Sequence, residues 1–236
     1  MNHLQGKIVA VTGAFGALGF VTARVLAARG AQVALIGRGA APASAALPAE
    51  LAQACVVDRV DLTDPRAAQD AIATITSRFN GLHALVNIAG AFRWETVSDG
   101  SADSWDRMFS ANVKTTLNAS KAALAHLTAA GGSGRIVNIG AMAALKAGAG
   151  MGAYAASKSA VMRLTEALAE ELKDKGVTVN AILPSIIDTP QNRADMPNAD
   201  FSRWATPEQI ANVIAFLLSP EAQGITGALV PVAARV

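Results

Sequence analysis

Seven short runs of β-branched and other apolar residues punctuate the chain, at 7–12 (KIVAVT), 31–36 (AQVALI), 54–58 (ACVVD), 83–87 (HALVN), 134–140 (GRIVNIG), 177–182 (VTVNAI) and 226–231 (TGALVP). Segments such as IVAVT and IVNI are almost unbroken apolar stretches, the pattern of a strand covered on both faces; a half-exposed strand would alternate. Most of the intervening stretches carry helical periodicity, which predicts helices at about 16–30, 64–79, 102–130, 151–176 and 206–218. Asp and Ser residues open the third of these, and Thr206-Pro207-Glu208 opens the last with a cap followed by proline at the first helical position. Strands and helices in alternation predict an α/β fold, a Rossmann-type doubly wound, seven-stranded parallel sheet with helices on both faces. The short hairpin turns of a β-sandwich are missing, and no repeat or linker divides residues 1–236, read as one domain.

Two stretches fit neither pattern. The Ala/Pro-rich segment 39–50 (GAAPASAALPAE) is expected to be a flexible loop, and 184–205, with three prolines, is expected to be either a substrate loop that acts as a lid or a partly disordered segment.

Composition narrows the functional classes. Hydrophobic residues make up 52% of the 236 and charged residues 16%, which excludes a disordered chain. Lys+Arg 20 against Asp+Glu 18, with no basic run, leaves nucleic-acid or membrane-surface binding without electrostatic support. The start MNHLQGKIVAVTG has no basic and apolar leader, and no uncharged apolar stretch approaches the ~20 residues of a bilayer span, so a cytoplasmic protein is expected. The single Cys55, in ACVVD, reads as a buried strand residue; His3, His83 and His126 are too scattered for a metal site, and none is expected.

The first candidate chemistry is TGAFGALG, which follows the first strand and opens the first helix. It places Gly13, Gly16 and Gly19 where a backbone must turn tightly, approach a pyrophosphate and pack on the sheet, with helix N-terminal amides facing the phosphates. Further on, Tyr154 and Lys158 stand four apart on one helix face, and an ammonium beside a phenol is expected to lower the phenol pKa from ~10 towards the range a general acid or base needs.

Taken in order, the glycine turn, Asp61-Leu62, Asn87-Ile88-Ala89-Gly90, Asn112 and Tyr154-Ala-Ala-Ser-Lys158 resemble the short-chain dehydrogenases/reductases of single-domain type, over essentially the whole chain. The ending Gly-Ala-Leu-Gly of the turn and LPSIIDTPQNRADMPNADFSRW add a local likeness to quinonoid dihydropteridine reductases, over roughly a tenth of the chain. The resemblance implies an NAD(P)-dependent oxidoreductase in which Tyr154 protonates the substrate, Lys158 also holds the nicotinamide ribose and Asn112 anchors a relay water. It implies cofactor contacts at Gly13, Phe15, Gly16, Ala17, Leu18 and Gly19, at Asp61 and Leu62 for the adenine, and at Asn87, Ala89 and Gly90 beneath it. Pro184 and Thr189 complete that set, Thr189 at the nicotinamide carboxamide. The substrate side is expected to draw on Phe92, Arg93, Trp94, Met142, Asn192, Arg193, Met196 and Trp204, and to bind a small molecule.

One position departs from the family. The usual serine 13 residues before the tyrosine is Ala141 here, and loss of such an oxyanion donor typically costs ~10²–10³ in rate. Quinonoid dihydropteridine reductases also lack it, and a quinonoid C=N develops less oxyanion charge, so Ala141 points to a conjugated C=N or C=O substrate of pteridine-like type. Two alternatives stay open: an ordinary ketone or alcohol dehydrogenase in which Ser185 or Thr189 substitutes, and a nucleotide-binding sensor or scaffold with reduced catalysis. At the end of the second strand Gly37 stands where an NAD-preferring relative carries an acid, and Arg38 can pair with a 2′-phosphate, so NADP(H) is preferred over NAD(H). Alanine-rich helices at 102–130 and 151–176 predict a homodimer, or a homotetramer through the C-terminal strand, although the ending PVAARV lacks the Asp-Gly-Gly of many relatives.

Overall fold

The computed structural model describes residues 3–43 and 47–236. In chain order the elements are β1 (Ile8–Thr12), α1 (Ala17–Ala28), β2 (Gln32–Ile36), β3 (Cys55–Val57), α2 (Pro65–Phe79), β4 (Ala84–Asn87), α3 (Ala102–Phe109), α4 (Thr115–Thr128), β5 (Arg135–Ile139), α5 (Gly152–Leu172), β6 (Thr178–Pro184), α6 (Pro190–Asp195), α7 (Pro207–Leu217) and β7 (Leu229–Val232). All strand pairs are parallel and the order is β3-β2-β1-β4-β5-β6-β7. The chain builds outward from β1 in one direction and then, from β4, in the other. That reversal opens a crevice at the carboxyl ends of β1 and β4.

β1, β5 and β6 are buried at every position, as their apolar runs require. Val9, Val11, Leu35, Val86 and Val137 share one core with Leu26 of α1 and Ile210 and Ile214 of α7. Ala10, Ile36, Leu85, Ile136 and Val179 share another with Ile72 and Ile75 of α2, Leu127 of α4 and Leu168 of α5. Alternate residues of each strand therefore feed opposite layers. The helix starts follow local chemistry: Asp64 accepts from the Arg66 amide, Ser101 from the Ser104 amide, and Thr206 forms a reciprocal capping box with Gln209. Cys55 is buried in β3.

Three expectations are revised. The helix predicted over 102–130 is continuous but not regular, because Ser110–Lys114 adopt π-helical turns between α3 and α4. Thr115 and Thr116 donate their hydroxyls to the carbonyls of Ala111 (2.7 Å) and Asn112 (2.8 Å), taking up groups that a widened turn leaves. The 184–205 segment is ordered: Ala205 N donates to Ile186 O at 3.0 Å and Asp188 N to Ala205 O at 2.8 Å, which pins its two ends together. In the 39–50 stretch, residues 39–43 and 47–48 carry no regular structure, as expected of a loop, but Ala49–Leu51 forms a 3₁₀ turn with Leu51 buried; residues 44–46 lie outside the described residues. Among the described residues no helix is long and apolar enough to cross a membrane, and no group of three His, Cys, Asp or Glu is placed to hold a metal.

Candidate active site

At the end of β1, Thr12 Oγ1 accepts from Ile88 N (3.0 Å) and Ala89 N (3.1 Å), which ties the carboxyl ends of β1 and β4 together. Gly13 follows with φ 64°, and a Cβ there would stand 2.8 Å from Ala89 N. The turn thus needs glycine both for its conformation and for its approach to β4. At Gly16 the nearest obstacle to a Cβ is Gly13 O at an ordinary 3.4 Å, so the protein itself does not demand glycine there. The helix α1 starts at Gly16 with no side-chain cap and no acid in its first turn, leaving amides free for an anion.

These residues open on a cleft of about 1120 Å³ above the crevice. It is lined by Gly13, Phe15, Gly16, Ala17, Leu18 and Gly19 of the turn, Arg38, Asp61 and Leu62 beyond β2 and β3, Ala89 and Gly90 beyond β4, and Thr189. An open groove with uncapped amides at one end fits a dinucleotide. The Asp61 carboxyl is held below its usual range by hydrogen bonds from the Thr63 hydroxyl and amide, with Arg38 nearby adding to the effect. Two expected cofactor residues do not line the cleft. Asn87 is 2% exposed and donates to Ser120 Oγ (3.1 Å) and Asn138 Oδ1 (2.9 Å), so it braces the sheet beneath; Pro184 is buried at the end of β6.

Next to the cleft lies a polar cluster. Asn112, fully buried in the π-helical turn, donates to Ala91 O (3.0 Å) and Ser157 Oγ (2.9 Å) and accepts from Ala91 N (2.9 Å). Lys158 Nζ donates to Ile139 O at 2.8 Å. A Cβ on Gly90 would come 3.4 Å from Lys158 Nζ and crowd Asn112 Oδ1, so glycine at 90 leaves the two groups room to share one corner of the site. Tyr154, half-buried, receives the Phe92 ring edge-on with centroids 4.9 Å apart.

The electrostatics differ from the expectation of a phenol eased by an ammonium. Burial pushes Tyr154 up to about 12 and Lys158 down to about 8. Desolvation disfavours phenolate and ammonium alike, and burial alone accounts for both shifts. The site therefore rests with a neutral phenol, the form that can give a proton.

The substrate-side expectations divide. Ala141 is buried at the end of β5 with extended backbone, and Met142 begins a 3₁₀ turn whose Ala144 O accepts from Ser159 Oγ at 2.9 Å. Phe92, Trp94 and Leu145 are more than half exposed, and Trp94 Nε1 donates to Ala149 O at 3.0 Å. By contrast, Arg93 pairs with Glu95 at 2.7 Å, Arg193 forks onto Asp188 and lies 4.9 Å from the Phe201 ring centroid, and Asn192 Nδ2 donates to Ile187 O at 2.7 Å. Trp204 is 5% exposed and packs on Phe201, and Met196 closes α6. Arg93, Asn192, Arg193 and Trp204 thus make these contacts within their own loops. Ser185 donates to Ala233 O at 2.8 Å, so its proton is already engaged. Thr189 caps α6 by accepting from Asn192 N at 3.2 Å, which leaves its own proton free.

Sequence reasoning missed several residues. Ser157, which links Asn112 to α5, lies inside the Tyr154–Lys158 motif and was visible there. Asn118, which donates to Leu62 O (3.0 Å) and Thr63 O (3.1 Å), had only the weak signal of an asparagine inside a helix. Arg107 and Gln191 also line the cleft, with no local sign.

Comparison with known proteins agrees with this geometry. The profile of the short chain dehydrogenase family matches residues 7–200. A 3-oxoacyl-acyl-carrier-protein reductase of Vibrio cholerae is 33% identical over 234 residues, covering 95% of each chain. A short chain dehydrogenase of Burkholderia cenocepacia, solved with NADP, superposes with a TM-score of 0.82 at 32% identity, covering 98% of each chain. An NAD+-bound xylitol dehydrogenase superposes at 0.89 with 27% identity, covering 98% of this chain and 99% of that one. On the family match over residues 7–200 and the relatives sharing the parallel sheet, the chain belongs to the short-chain dehydrogenase/reductase family and is an NAD(P)-dependent oxidoreductase.

Proposed function

We propose that the protein reduces a small conjugated C=N or C=O compound, pteridine-like in its electronic character, with NADPH. When bound, the nicotinamide supplies a hydride to the electrophilic carbon. Tyr154 gives its proton to the nitrogen or oxygen of that bond, Lys158 holds the ribose and restores the proton supply, and Asn112 positions water for that relay. Gly13, Gly16 and Gly19 with the first amides of α1 take the pyrophosphate, and Arg38, with no acid on Gly37, takes the 2′-phosphate. We place a homodimer on the face of α3 and α5, where Trp105 and Phe109, one turn apart, are both more than two-fifths exposed.

The observation that carries the substrate reading is Ala141, a buried methyl at the position where the family resemblance implies a serine. The exposed Phe92, edge-on to the Tyr154 ring, supports it, because an exposed aromatic face beside the proton donor suits a flat, conjugated molecule. A second reading, an ordinary ketone reductase, is favoured by the free proton of Thr189 in the cleft and by the name of the Vibrio relative.

Ala141→Ser separates the two. If the substrate reading holds, the variant reduces a plain ketone faster by up to ~10²–10³ while a quinonoid imine gains little. A parent enzyme that already reduces plain ketones well, with no gain in the variant, would establish the second reading instead.

A further inference from the structure

The wall of the cleft beside Arg38 is built by two residues that fit only as a pair. Gly37 is buried, and its φ is outside the left-handed region, so its backbone conformation does not call for glycine. Phe15 does. A Cβ built on Gly37 would lie within 2.6 Å of three carbons of the Phe15 ring, inside any van der Waals contact. Relief from the backbone is blocked, since Gly37 N donates to Val57 O (3.1 Å), Val60 N donates to Gly37 O (3.0 Å) and Ala14 N donates to Ile36 O (3.1 Å). Relief from the ring means withdrawing it, half-buried, from the hydrophobic core against which it packs.

We propose that Phe15 and Gly37 act as one specificity-determining pair at the adenosine end of the cleft. The ring fills the volume that a carboxylate at position 37 would need, so an acid for the two ribose hydroxyls cannot be seated while Phe15 is present. Arg38, exposed on the same wall, is left to meet a 2′-phosphate. The role of the pair rests on the NADPH reading above; its steric coupling does not.

Two measurements test it. In thermal unfolding of the protein without cofactor, Gly37→Ala should lower the midpoint by about 2–10 °C, the size of an overpacked core site in a chain of this length. In a Phe15→Ala background the same change should cost far less. In equilibrium titrations with NADPH and NADH, Gly37→Asp alone should gain no NADH affinity. Phe15→Ala/Gly37→Asp should gain about tenfold or more, as expected for charge-assisted hydrogen bonds to the ribose hydroxyls. Gly37→Ala costing the same in both backgrounds, or Gly37→Asp matching the double variant for NADH, would overturn the pair. A parent that binds NADH as tightly as NADPH would instead remove the cofactor reading, while the thermal cycle still reports whether the two residues are coupled.

Discussion

Lys158 should make the protein more stable as pH rises from 8 to 10.5, the reverse of what a salt-bridged lysine does. The side chain is 6% exposed and its ammonium has one acceptor, Ile139 O at 2.8 Å. Burial brings its pKa from 10.5 to about 8. Below pH 8 both folded and unfolded chains carry the charge, and the folded state bears the full desolvation penalty. Between 8 and 10.5 the unfolded chain binds the extra proton, so stability climbs with pH; above 10.5 the penalty is gone. At 1.36 kcal/mol per unit the span is about 3 kcal/mol, of which about 2.5 kcal/mol is recovered between pH 7 and pH 10. Urea unfolding of the parent and of Lys158→Met at pH 7, 8, 9 and 10 isolates this, because every other group titrates in both proteins. Losing the bond to Ile139 O shifts the two curves by ~1–3 kcal/mol without changing their slopes. Measurement stops at pH 10 because Tyr154, held near 12 in the folded state, begins to favour unfolding above the ordinary tyrosine pKa of 10. The parent-minus-variant difference should rise by about 2.5 kcal/mol. A flat or falling difference would refute the reasoning and mean that a negative partner compensates the ammonium.

Tyr154→Phe keeps the ring against Phe92 and removes the proton, so turnover should fall by ~10²–10⁴ with the dissociation constant for NADPH little changed, as read from initial rates and cofactor titration. Arg38→Ala should erase most of an NADPH-over-NADH preference of ~1.5–3 kcal/mol, measured as the ratio of the two dissociation constants; a ratio unchanged by the substitution would exclude contact with a 2′-phosphate. Thr206→Ala removes one half of the capping box on α7 and should cost ~1 kcal/mol in urea unfolding, with activity retained.

Much of this protein was legible in local pattern. The apolar runs of β1, β5 and β6 announced strands covered on both faces, and Thr206-Pro207-Glu208 announced the start of α7, because such signals act between residues a few positions apart. The resemblance carried by the glycine turn and by Tyr154 and Lys158 pointed to the short-chain dehydrogenase/reductase family, and the family match over residues 7–200 agrees. What the pattern could not decide depends on segments distant in sequence. Asn87 was expected beside the cofactor, yet Ser120 and Asn138 hold it inside the sheet. Trp204 was expected to meet a substrate, yet it is buried against Phe201 in the loop itself. The helix spacing of Tyr154 and Lys158 suggested mutual charge stabilisation, whereas burial by surrounding elements moved both groups towards neutrality. Position 37 read as a missing acid; only the fold put the Phe15 ring into the space that a Cβ at 37 would occupy. Propensity, capping and turn chemistry are properties of neighbours along the chain, while desolvation and steric exclusion depend on which distant residues share a volume, and the tertiary structure alone assigns that volume.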